Sequence, residues 1–205
     1  MFTGLIREIA KVKKFDGSTL ELKANYKPKV GDSIAINGVC LTATEIKKDS
    51  FVVEVAKETK SIIPKEKFEK EVHIEPAMRL SDRIEGHILQ GHIDTIGEVV
   101  DIKKQKDGVD FYIKVDPYFI KYIVPKGSIA IDGVSLTINE VFDSSFRVTI
   151  IPHTIQNTLI KNYKIGTKVN IETDFFARYI EHILKHQDIK KPISWRDIDL
   201  INMSY

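Results

Sequence analysis

Two histidines five positions apart, His87 and His92, lie in the segment GHILQGHI, each directly behind a glycine. An imidazole titrates near neutrality, so either can move a proton at physiological pH, and a glycine lets the backbone come close to a ligand. On a single strand this separation would send the two rings to opposite faces and to different jobs. A histidine satisfied within the fold is the plain alternative for each. The second polar pair is Cys40 and Ser135, which occupy equivalent places in two nearly identical stretches, SIAINGVCLTATE (Ser33 to Glu45) and SIAIDGVSLTINE (Ser128 to Glu140), each followed by Leu-Thr at Thr42 and Thr137. Both copies keep a nucleophile-capable atom there, although a small residue packed in a strand would read the same way. Lys126 and Asp132 flank the second stretch where the first has Gly31 or Asp32 and Asn37, and Asp174 stands where the first half has Ala77. Charged residues at turns are ordinarily solvated. Even so, the halves share a shape and differ in ionisable groups, which suits a reaction in which one of two identical molecules gives a fragment and the other accepts it.

Other chemistries lack their signatures. The chain has no glycine-rich phosphate loop, dinucleotide fingerprint or nucleophile elbow, so no diphosphate cofactor is expected. One cysteine with scattered histidines makes no zinc set, so no metal is expected either. Lys+Arg 31 against Asp+Glu 29 leaves no basic field for nucleic acid. The opening MFTGLI is not a run of roughly 7–15 apolar residues behind a basic start, and no stretch approaches the ~18 apolar residues of a membrane span. With a lone thiol suited to a reducing compartment, a soluble cytoplasmic protein with no membrane partner is expected.

The elements that must position these residues come in duplicate. The two stretches are 95 positions apart, and VEVAKET (Val53 to Thr59) over VTIIPHT (Val148 to Thr154) keeps that offset. VHIEPA (Val72 to Ala77) over VNIETD (Val169 to Asp174) extends the match, as does Gly4 to Val12 over Gly91 to Val99. Short β-branched runs recur about every ten residues between turn signals such as Asn37-Gly38 and Asp132-Gly133, the pattern of an antiparallel barrel. The expected fold is all-β, two tandem six-stranded Greek-key barrels over 1–88 and 89–174, with a helical tail over 175–205. In the tail Phe175, Phe176, Tyr179, Ile180, Ile183 and Leu184 recur at helical spacing. Its apolar face must pack on its own chain or on other subunits. Ser194 and Asp197 resemble a capping pair for a second short helix after Pro192.

Taken together, MFTGLI, the NGVCLT and DGVSLT pair, KET and PHT, GHILQGHI and VNIETD resemble riboflavin synthase of the trimeric, duplicated-barrel type, over residues 1 to about 187 and in the family's order. The resemblance implies a dismutation of two 6,7-dimethyl-8-ribityllumazine molecules, without cofactor, giving riboflavin and a ribitylaminouracil by transfer of a four-carbon unit. It implies a homotrimer, with the working site between the first barrel of one subunit and the second barrel of its neighbour, and association with lumazine synthase. His92 would transfer protons, Cys40 and Ser135 would contact the two rings, and Lys126, Asp132 and Asp174 would fix charge and ribityl hydroxyls. The matching binding positions are Gly4, Leu5, Ile6, Leu41, Thr42, Glu54, Val55, Ala56, Lys57, Glu58 and Thr59 for the first barrel. For the second they are Gly91, Ile93, Leu136, Thr137, Thr149, Ile150, Ile151, Pro152, His153 and Thr154. Phe2 and Ser33 also match positions linked to the site. Glu85, Gln90 and His153 depart from the family's pattern. A non-catalytic lumazine- or flavin-binding antenna protein uses the same duplicated barrel, and the presence of both histidines with Cys40, Ser135 and Thr137 favours the enzyme.

Overall fold

The structure, a computed structural model, describes residues 1–186. One closed barrel is built from β1 (Glu8–Phe15), β2 (Thr19–Lys23), β3 (Ser33–Ile36), β4 (Val39–Ile46), β5 (Ser50–Glu54) and β6 (Glu71–Pro76). The other is built from β7 (Thr95–Gln105), β8 (Gly108–Lys114), β9 (Ser128–Ile131), β10 (Val134–Val141), β11 (Ser145–Ile150) and β12 (Lys168–Thr173). All pairings are antiparallel, in the order β1-β2-β5-β4-β3-β6 for the first and β7-β8-β11-β10-β9-β12 for the second, each ring closing on itself. The second strand skips its successor to pair with the fifth, a Greek-key path, and closure leaves no open sheet edge. The expected all-β tandem-barrel fold is the observed one.

Alternation explains the strands. In β4, Val39, Leu41 and Ala43 point into the barrel while Cys40 and Thr42 point out. Each interior is filled by a cluster of its own: Leu20, Leu22, Ile34, Phe51, Val53 and Ile74 in the first, Ile113, Ile129, Ile131, Phe146, Val148 and Ile171 in the second. Even the irregularities are duplicated, since register slips between Ala43 and Glu45 and again between Ile138 and Glu140. Short helices α1 (Lys57–Ile62) and α3 (Pro152–Asn157) follow the fifth strand of each barrel, whereas α2 (Pro117–Ile120) follows β8 in the second barrel.

The barrels meet back to back at their β3-β4 and β9-β10 hairpins. Asn37 and Gly38 have φ of 47° and 83°, Asp132 and Gly133 have 46° and 81°, the signature of a tight two-residue turn. A methyl on Gly38 would lie 2.7 Å from the Gly133 nitrogen, and one on Gly133 equally close to the Gly38 nitrogen. Each glycine is therefore demanded twice, by its backbone and by its neighbour. Around them the hydrogen bonds repeat across the seam. Asn37 Oδ1 accepts from the His73 amide (2.9 Å) and Asp132 Oδ1 from the Asn170 amide (2.8 Å), while Asn170 Nδ2 donates to the Asn37 carbonyl and His73 Nδ1 bonds the Asp132 carbonyl.

Helix α4 (Phe175–His186) carries the apolar stripe read from the sequence, with a Glu181–Lys185 ion pair of 2.7 Å one turn apart. Pro192 and the capping pair Ser194 and Asp197 lie outside the described residues. Among the described residues no helix is long and apolar enough to cross a membrane.

Candidate functional site

Outward-pointing residues at the mouth of each barrel are met by an arm of irregular chain, and the arms cross over. The first arm, residues 1–7, runs onto the second barrel: the Gly4 carbonyl accepts from the Ser135 amide (3.0 Å), and Ile6 packs against the second core. The second arm, residues 77–94, runs onto the first barrel: the Gly91 carbonyl accepts from the Cys40 amide (2.9 Å), and Ile93 packs against the first core. Contact is so close that a methyl on Gly4 would sit 2.5 Å from Ser135 Cβ, and one on Gly91 2.5 Å from Cys40 Cβ. The two arms pair with each other between Phe2 and Leu89, which share a small cluster with Ala35 and Ala130. Although Leu5 shares a hollow with Glu75 and Pro76 of the first barrel, this corrects the grouping of Gly4 and Ile6 with the first barrel and of Gly91 and Ile93 with the second. It also replaces the image of His87 and His92 on one strand: neither is in a strand, and they serve different barrels for a different reason.

On the first barrel, two adjoining hollows of about 340 and 330 Å³ share Cys40, Ala56 and Thr59. One is walled by Gly91, His92 and Ile93 from the second arm and by Ile62 and Ile63, the other by Leu41, Thr42, Glu54 and Val55. Lys57 is exposed at the start of α1, which also contains Glu58. Ser33 is partly exposed and sits opposite Thr42 in the β3-β4 ladder.

On the second barrel Ser135 takes the place of Cys40. Its Oγ lies 2.7 Å from His87 Nδ1, and Gly86 is pressed against the same side chain. Burial pushes the His87 imidazole below its usual pKa, with the negative charge of Asp174 pulling the other way. Its Nε2 is buried without a protein partner, so the ring is a neutral group with one nitrogen to offer. Thr137 is exposed, Leu136 leans on the second core and Ile150 lies within it. Thr149 donates to Asp110 (2.6 Å), a carboxylate that burial would push up but that Thr149, Gln105 and Arg147 together hold below its normal pKa. Ile151, Pro152 and His153 are exposed at the start of α3, where the Thr154 carbonyl accepts from Thr158 Oγ1. Lys126 is an exposed turn residue with φ of 66°.

Asp132 does not face either mouth as a charge-fixing group. Its side chain is 3% exposed and is engaged by Lys67 Nζ (2.6 Å), the Tyr163 hydroxyl and the Asn170 amide, all at the seam. Burial, reinforced by the Asp132 charge, raises the Tyr163 pKa well above its ordinary value, so Tyr163 stays a donor. Sequence reasoning passed over Lys67 and Tyr163, which carry no motif, and over His73, which stands in the quoted repeat VHIEPA. It also passed over Glu75 and Glu172, although both stand in the quoted repeat VHIEPA and VNIETD. Glu75 Oε1 accepts from the Thr3 amide and hydroxyl (2.7 and 2.9 Å) and Oε2 from the Gly4 amide (3.0 Å). Glu172 accepts from the amides of Gln90 (2.7 Å) and Gly91 (3.0 Å).

The arrangement defines a class: duplicated Greek-key barrels, each met at its outward strand by an arm of the other half, with hollows beside Cys40 on the first barrel and the Ser135–His87 pair at the equivalent place on the second. Comparison with known proteins makes this specific. The lumazine binding domain model matches twice, over residues 3–77 and 90–174. The riboflavin synthase of Photobacterium phosphoreum is 39% identical over 207 residues, 95% of each chain, and that of Bacillus subtilis (strain 168) is 38% identical over 193 residues, 90% of each. The structure of LumP complexed with riboflavin shares the fold, with a TM-score of 0.74 over 85% of this chain and 100% of that one at 22% identity. The chain belongs to the riboflavin synthase family of lumazine-binding-domain proteins.

Proposed function

We propose that this protein catalyses the dismutation of two 6,7-dimethyl-8-ribityllumazine molecules, moving a four-carbon unit from one to the other to give riboflavin and 5-amino-6-ribitylaminouracil. The observation that carries this reading is identity to riboflavin synthases running through both barrels, 95% of the chain in the case of Photobacterium phosphoreum. Each barrel holds one substrate, over residues 1–88 and 89–174. The substrate's ring acidifies its own position-7 methyl group, so the protein has to supply juxtaposition and proton transfer. His92 moves protons beside Cys40 on one ring, Ser135 meets the other ring with His87 behind it, and Lys126 and Asp174 fix charge and ribityl hydroxyls. The geometry in support is the shared hollow of Cys40 and His92 and the 2.7 Å approach of His87 to Ser135.

The same reading has the chain act as a cytoplasmic homotrimer, assembled through the α4 stripe and the tail over 175–205, and associate with lumazine synthase. The deciding experiment incubates the purified protein with the lumazine substrate alone. One riboflavin should appear for every two substrates lost; tight binding without turnover would instead make it an antenna protein.

A further inference from the structure

We propose that Glu75 and Glu172 are crossed positioning residues, each holding in place the arm that packs on the outward strand of the other barrel. The inference deepens the catalytic reading above and rests on it. An arm of irregular chain has no neighbouring strand to take its N–H groups, and a buried N–H left unpaired is costly. Here the donors of the first arm are taken by a carboxylate on β6 of the first barrel, and those of the second arm by a carboxylate on β12 of the second barrel. The carbonyls of the same arms are taken from the other side, Gly4 by Ser135 of the second barrel and Gly91 by Cys40 of the first. Each arm is thus gripped between a carboxylate of one barrel and the outward strand of the other.

The carboxylates themselves are deep, Glu75 at 5% and Glu172 at 1% exposure. Burying an acid is unfavourable unless its oxygens find donors, and burial does raise the Glu75 pKa against the pull of the Thr3, Gly4 and Leu5 amides. A cationic side chain would not serve, because it offers no acceptor for the arm's amides. The functional consequence is diagonal. Glu172 sets the wall formed by Gly91, His92 and Ile93 around Cys40, and Glu75 sets Gly4 against Ser135.

Cys40 is the single cysteine of the chain, so its alkylation by iodoacetamide, in which sulfur displaces iodide and the thiol proton goes to solvent, reports on the second arm alone. Glu172→Gln keeps the side chain's shape but turns an NH2 toward one of the two amides. It should speed alkylation about tenfold or more by letting the arm open, whereas Glu75→Gln should leave the rate within about twofold. Turnover should fall in both variants, with Glu172→Asp retaining part of the wild-type protection. Equal acceleration in the two Gln variants, or none in Glu172→Gln, would overturn the crossing. Should a variant fail to fold, amide exchange in the unmodified protein decides: the Thr3, Gly4, Gln90 and Gly91 amides should exchange as slowly as their β-strand neighbours, and exchange at free-chain rates would end the proposal. A wild-type protein that makes no riboflavin would sink the catalytic reading while leaving the thiol and amide results to be judged separately.

Discussion

At the residue scale, the protein assigns its polar side chains to two trades. Cys40, Ser135, His87 and His92 stand at or near the barrel mouths, and Asp132, Lys67, His73 and Tyr163 are consumed at the seam. Ser135→Ala removes the hydroxyl that meets His87 and, if that pair moves or positions a proton, should lower turnover about 10²-fold with little change in melting temperature; steady-state rates with the lumazine substrate measure it. His73 governs a different quantity. It is 1% exposed, and burial lowers its pKa despite the raising effects of the Asp132 carbonyl and charge. The unfolded chain takes up a proton near pH 6.5 and the folded one resists it, so stability is complete above that pH and drains away as pH falls through the depressed folded value. Glu75, whose pKa is raised, acts in the opposite sense at lower pH. Replacing His73 by Asn, the residue at its counterpart Asn170, should flatten the fall in urea midpoint between pH 7.5 and 5.5. Parallel curves for the two proteins would assign the slope to other groups, His87 first.

At the element scale, the duplicated strands were plain in the residues because strand alternation and turn chemistry are local, and SIAINGVCLT against SIAIDGVSLT displays both. The exchange of arms was not. It depends on where Glu75 and Glu172 send their oxygens, and a glutamate in the middle of a β run gives no sign of facing a backbone dozens of residues away. Asp132 misled for a related reason: an acid at a two-residue turn usually faces water, and this turn faces another turn. The hairpin contact predicts a graded response. Gly17 has φ of 90° with open space around it, so Gly17→Ala should cost only backbone strain, about 1 kcal/mol. Gly133→Ala adds a collision with Gly38 and should cost about 3 kcal/mol, both read from equilibrium denaturation.

At the scale of the whole molecule, duplication provides two equivalent outward strands, and their polar residues have diverged. The halves differ at the seam, Asn37 against Asp132 and His73 against Asn170, and at the mouths: Cys40 against Ser135, Glu54 against Thr149, with the acid moved to Asp110 on the paired strand of the second barrel. If the α4 stripe joins subunits, a chain ending at Asp174 should sediment as a monomer where the full chain sediments as a trimer; an unchanged oligomer would place the contact elsewhere. The meeting of Gly38 with Gly133 has a consequence for ancestry. Since each turn is the other's wall, a bulkier residue in place of either glycine would have damaged both copies, so Gly38 and Gly133 are held together even though the polar residues beside them differ, Asn37 against Asp132 and His73 against Asn170. Chimeras that splice one half from a distant relative should therefore tolerate foreign mouths far better than a hairpin without its glycine.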